Sequence, residues 1–157
     1  DDEKGIPFTE NDLQVLWDNR DVPYVDTILI MVYSGYRISA FKEIKIDLEK
    51  GYFQGGVKTK SGKNRIVPIH PGIYGMVAAY HGKTWLETSV NDYRTKVFYP
   101  TLERLGLLYA SNGTKHTPHD CRHTFSWLCD RYKIDDMSKH LLMGHALGSD
   151  VGFLRIP

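Results

Sequence analysis

His119 and Arg122 stand three residues apart in Thr117-Pro118-His119-Asp120-Cys121-Arg122. Thr as a cap, Pro at the first helical position and an acid at the third mark a helix start. His119 then takes the second helical position, and Arg122 follows on the same face. A helix N-terminus offers unpaired N–H groups and partial positive charge, so a histidine and an arginine there make a phosphate site. Taken alone, the pattern is better read as a helix start with two solvated polar residues. Three more cationic groupings accompany it. Arg37 lies in Ser34-Gly35-Tyr36-Arg37, Lys58 and Lys60 lie in VKTKSGKNRIVPI, and His145 follows Met143-Gly144 in LLMGH.

The elements that must position these residues are short. Asn11 or Asp12 can cap a first helix through about Asn19, with Leu13, Leu16 and Trp17 at helical spacing. A second helix is expected over 25–33, ending near Ser34 with Gly35 as its left-handed stop. Ile44, Ile46 and Leu48 alternate with Lys45 and Asp47, the period of a half-buried strand. Residues 52–54 read as the return strand, and 57–60 and 65–69 flank a turn at Ser61-Gly62-Lys63-Asn64. Helices are expected from Pro71 to about Tyr80, from an Asn91 cap to about Leu105, and from Thr117. The last of these carries Cys121, Phe125, Leu128, Cys129 and Tyr132 as one apolar stripe. A short helix over 137–143 closes at Gly144. The fold class is α+β, mostly α-helical, with one small three-stranded antiparallel sheet.

The 157 residues make one domain on length, with 41% apolar and 25% charged residues in the globular range. The longest purely apolar run, 28–33, is far short of the ~20 residues that span a bilayer. Two cysteines eight apart, Cys121 and Cys129, cannot bridge on a helix, and a reduced cytoplasmic setting is expected. The first 50 residues carry 11 acids and 6 bases, whereas residues 51–122 carry 10 bases and 4 acids. That basic stretch suits a polyanionic partner, though a solvated face accounts for charge alone equally well.

In chain order the motifs are SGYR, KTKSGKNRIVPI, TPHDCRHTF and LMGH. With this order and spacing the sequence resembles the catalytic domain of the tyrosine recombinases, or phage-type integrases, and among them the integrases of conjugative transposons. The resemblance covers nearly the whole chain and implies site-specific DNA breakage and rejoining through a 3′-phosphotyrosine. It implies that Arg37 and Arg122 clamp the scissile phosphate, whose oxygens the planar guanidinium fits bidentately. It implies Lys60 as general acid to the leaving 5′-oxygen, with Lys58 as a backup two residues away. His119 matches an acid–base or phosphate-orienting group, and His145 a group that hydrogen-bonds the phosphate and helps pack the nucleophile. His123 matches a core or supporting position. Thr59, Ser61 and Lys63 could reach DNA backbone or simply be exposed loop residues. The expected partner is double-stranded DNA, bound by a homotetramer of the full-length protein, with no membrane, metal or small-molecule cofactor.

The sequence departs from the family in two places. The family nucleophile is a tyrosine about nine to twelve residues past the last histidine, yet no tyrosine follows Tyr132 here. The family's supporting acid three residues past the first arginine is Ala40, with Glu43 as a substitute. Residues 1–9 are expected as a linker remnant of a cut fragment. The core-binding domain and the nucleophile segment are expected to be missing, leaving residues 1–157 as a catalytic domain that cannot cleave. A non-catalytic DNA-binding remnant is the second reading. A histidine metal site is the third: His119 and His123 have one-face spacing, and His116, His140 or His145 could complete it. Arg122 between them would repel a cation, and Pro118 sets the first ligand at a positive helix end. Type IB topoisomerases share the chemistry, but chain length and LMGH favour the integrase side.

Overall fold

The structure, a computed structural model, describes residues 5–55, 65–80 and 89–132. Helix α1 (Glu10–Asp18) starts two or three residues earlier than a cap at Asn11 or Asp12 would set it. Thr9 is the cap: its hydroxyl accepts from Asp12 N–H, and the Asp12 carboxylate accepts from Thr9 N–H. The acid completes a reciprocal pair instead of capping alone.

Helix α2 (Val25–Ser34) is buried along almost all its length, which accounts for its apolar residues on every side. It ends at Gly35, whose φ of 70° is the left-handed stop that glycine supplies without strain. A 3₁₀ turn over Ile38–Lys42 follows, with Arg37 as its cap residue. Strands β1 (Lys45–Asp47), β2 (Tyr52–Gln54) and β3 (Ile66–Pro68) form an antiparallel sheet in sequence order. Phe53 pairs with Ile46 on one side and Val67 on the other, and it is fully buried.

A 3₁₀ turn (Pro71–Ile73) leads into α3 (Tyr74–Ala79), together covering the helix expected from Pro71. The single helix expected after Asn91 is three pieces in line: α4 (Val90–Tyr93), a π turn (Arg94–Phe98) and α5 (Tyr99–Arg104). Ser89, not Asn91, is its cap, accepting from Asp92 N–H. Pro100 has no N–H to return to the Lys96 carbonyl, so the turn before it widens. Helix α6 (His119–Arg131) buries Cys121, Phe125, Leu128 and Cys129 as the stripe requires. Tyr132 leaves the stripe: it follows the last helical residue and is 46% exposed. Both cysteines are buried.

Helices α2 and α6 pack against each other. Residues 5–9, inside the stretch read as a linker, lie along α6. Ile6 N–H donates to Asp120 Oδ1 at 3.1 Å and Phe8 N–H to Thr124 Oγ1 at 2.9 Å. The Phe8 ring, fully buried, stands 4.3 Å from the His116 ring. Among the described residues, no helix is long and apolar enough to cross a membrane.

Candidate functional site

Arginines converge on the turn that follows α2. Arg122 enters from α6, buried to 5% exposure, and donates Nη1–H to the Gly35 carbonyl at 2.6 Å. Arg65 enters from the start of β3, buried to 3%, and donates Nη2–H to the Ser34 carbonyl at 3.2 Å. Its guanidinium carbon stands 4.0 Å from the centre of the Tyr36 ring. Arg37 follows in the chain and is exposed. The carbonyls that receive the two buried guanidiniums belong to the negative end of a helix, where cations are favoured.

Burial pushes the Arg65 guanidinium down to about 9, Tyr36 opposes the shift, and Arg122 and Arg37 press it further down. It remains a cation at neutral pH. Both other arginines therefore lie within electrostatic reach of Arg65. The Tyr36 hydroxyl is pushed up to about 12 by burial, partly offset by Arg65. That hydroxyl is buried with no hydrogen-bond partner among the described residues.

His119 is the first residue of α6, half-buried, with its ring 5.1 Å from that of His123 and edge-on to it. Gly5 packs on His123: a Cβ there would meet the ring Cγ at 2.7 Å. His116 is spoken for elsewhere, its Nδ1 2.7 Å from Asp120 Oδ2 in the buried end of α6. Asp120 also accepts from Thr117 N–H at 3.2 Å, the back-bond expected of an acid at a helix start. No group of three His, Cys, Asp or Glu among the described residues could hold a metal ion.

The structure thus brings Arg37 and Arg122 to one turn and sets His119 one helical turn before Arg122. Ala40 is buried and Glu43 exposed at the end of the 3₁₀ turn. Lys58, Thr59, Lys60, Ser61, Lys63, His140 and His145 lie outside the described residues, as does the helix expected over 137–143.

Three solved structures share this arrangement of elements. The Tn1549 transposon integrase in complex with transposon right end DNA superposes with a TM-score of 0.72 at 17% identity, covering 90% of this chain and 58% of that one. The same integrase in complex with circular intermediate DNA gives 0.68 at 18%, over 90% and 59%. The XerA recombinase gives 0.61 at 22%, over 90% and 56%. The fold is that of the tyrosine recombinase catalytic domain. The chain spans less than two thirds of the length of each chain it matches. No protein-family model matches the sequence, and no curated protein does.

Within this recombinase fold, the residue that sequence reasoning missed is Arg65. A signal for it was present. Arg65, Val67 and Ile69 share one parity on a strand, and all three are buried. A charged residue on the core parity of a strand needs a specific partner, and here it has the Ser34 carbonyl and the Tyr36 ring.

Proposed function

We propose that the chain is the phosphate-activating part of a DNA strand transferase that breaks and rejoins DNA at specific sites. Arg37 and Arg122 bind the non-bridging oxygens of a scissile phosphodiester and offset the charge that grows in its pentacoordinate transition state. His119 orients the same phosphate. Lys60 protonates the leaving 5′-oxygen, with Lys58 behind it, and His145 donates a further hydrogen bond. The carrying observation is that Arg122, from α6, bonds the Gly35 carbonyl two residues before Arg37 in the turn that ends α2. The fold shared with the Tn1549 integrase–DNA complexes supports the DNA substrate.

The attacking hydroxyl is a separate matter. Every tyrosine of this sequence lies between Tyr24 and Tyr132, before the position where the family carries its nucleophile. We assign residues 1–157 to phosphate recognition without cleavage, in a cytoplasmic protein that works as a tetramer on two duplexes. DNA binding alone is the second reading, and phosphate chemistry separates the two. Orthovanadate, a mimic of the transferring phosphate, binds the chain and loses affinity in Arg37→Ala if the first reading holds. No vanadate binding, with duplex DNA still bound, leaves the second. A nicked suicide duplex gives no covalent adduct; an adduct on this chain overturns the assignment.

A further inference from the structure

We propose that Arg65 is a positioning residue for Arg37, holding the turn from which Arg37 reaches the phosphate. The inference rests on the phosphate-site reading and deepens it. Ser34, the last residue of α2, and the two residues after it lead to Arg37, and each of the three is held by a guanidinium. Arg65 takes the Ser34 carbonyl at 3.2 Å, Arg122 takes the Gly35 carbonyl at 2.6 Å, and Arg65 again covers the Tyr36 ring at 4.0 Å. Tyr36 is in turn wedged edge-on between Phe41 and Phe53, each 5.9 Å away between ring centres. Phe53 is the middle residue of β2 and fully buried. Arg65 therefore ties the sheet to the turn through both main chain and side chain.

A lysine could not do the same work. Its ammonium can reach one carbonyl but has no plane to lie over the phenol ring while bonding a neighbour. Arg65 also stands immediately before β3, five residues after Lys60 in the sequence; Gly55 N–H donates to the Arg65 carbonyl at 2.8 Å, so its backbone is fixed at the end of β2. The guanidinium is thus anchored at its root and bonded at its tip, the condition for setting another residue's position.

The test compares the wild-type chain with R65K and R65M. Orthovanadate affinity is measured by titration, and amide hydrogen exchange is measured at Tyr36 and Arg37. The expected order of affinity is wild type, then R65K, then R65M, with R65K down about tenfold, the equivalent of one charge-assisted hydrogen bond. Exchange at Tyr36 and Arg37 quickens in R65K while exchange along α6 stays slow. Unchanged affinity and unchanged exchange in a folded R65K overturn the proposal. Unfolding of both variants also overturns it, because Arg65 is then a core residue and no more. Failure of the wild-type chain to bind vanadate counts against the phosphate site itself. In that case the exchange at Tyr36 and Arg37 still decides whether Arg65 holds the turn.

Discussion

Gly35→Ala perturbs the turn in two ways whose sizes can be worked separately. The φ of 70° is one that a residue with a Cβ adopts at a cost of about 1 kcal/mol. The added methyl would stand 2.7 Å from Cγ and 2.8 Å from Cε2 of Phe125. Phe125 is 1% exposed on the buried stripe of α6, so its ring has nowhere to go. Overpacking of that kind costs about 1–3 kcal/mol. The sum, about 2–4 kcal/mol, is a large part of the roughly 5–15 kcal/mol that holds a domain folded. For a chain of this size it lowers Tm by about 4–16 °C. Gly51→Ala is the control. Gly51 has φ of 79° and nothing within 4 Å of a built Cβ, so only the backbone part applies, about 1 kcal/mol. Because the Gly35 carbonyl receives Arg122, the variant also weakens vanadate binding, whereas Gly51→Ala does not. Thermal unfolding by circular dichroism and a vanadate titration read both effects. Equal losses of Tm in the two variants refute the reasoning, because the Phe125 contact then contributes nothing.

Tyr36→Phe removes a buried hydroxyl with no partner among the described residues and keeps the ring beneath Arg65, so urea unfolding should show a gain of about 1 kcal/mol. Asp120→Ala takes the acceptor from Ile6 N–H, Thr117 N–H and His116 at once, so a loss of about 2–4 kcal/mol and faster proteolysis of residues 5–9 are expected. Alkali should unfold the chain between the ordinary phenol value of 10.0 and about 12. Burial raises Tyr36 and Tyr80 to about 12, and beside Tyr80 the Asp26 carboxylate adds to the shift. A raised folded value means stability is whole below 10 and lost as pH climbs through 12, while Arg65, depressed by burial to about 9, works in the opposite sense. The double variant Tyr36→Phe, Tyr80→Phe moves the alkaline midpoint upward, as followed by circular dichroism.

Local signals carried most of the fold. The alternation at Ile44–Leu48 became a strand, and Gly35 ended its helix as a left-handed stop should. The parts that escaped depend on longer-range chemistry. Thr9 outranked Asn11 and Asp12 as a cap because a reciprocal pair satisfies two donors where a lone cap satisfies one. The π turn before Pro100 answers a missing N–H that helix periodicity does not register. For the proposed site, Arg37, His119 and Arg122 could be named because their motifs are short and ordered along the chain. Arg65 was not, because its partners are a carbonyl 31 residues away and the ring of Tyr36, also distant in the chain. Its parity with Val67 was a sign that a charged side chain points inward, but parity alone names no partner.

The central claim is that Arg37 and Arg122 serve one phosphate. A crystal structure of the chain soaked with orthovanadate or sulfate tests it most directly. The account predicts one anion bridging the Arg37 and Arg122 guanidiniums, with His119 in hydrogen-bond reach and Lys60 and His145 closing around it. An anion on Arg122 with Arg37 turned away to a different surface, or a metal bound between His119 and His123, would contradict it.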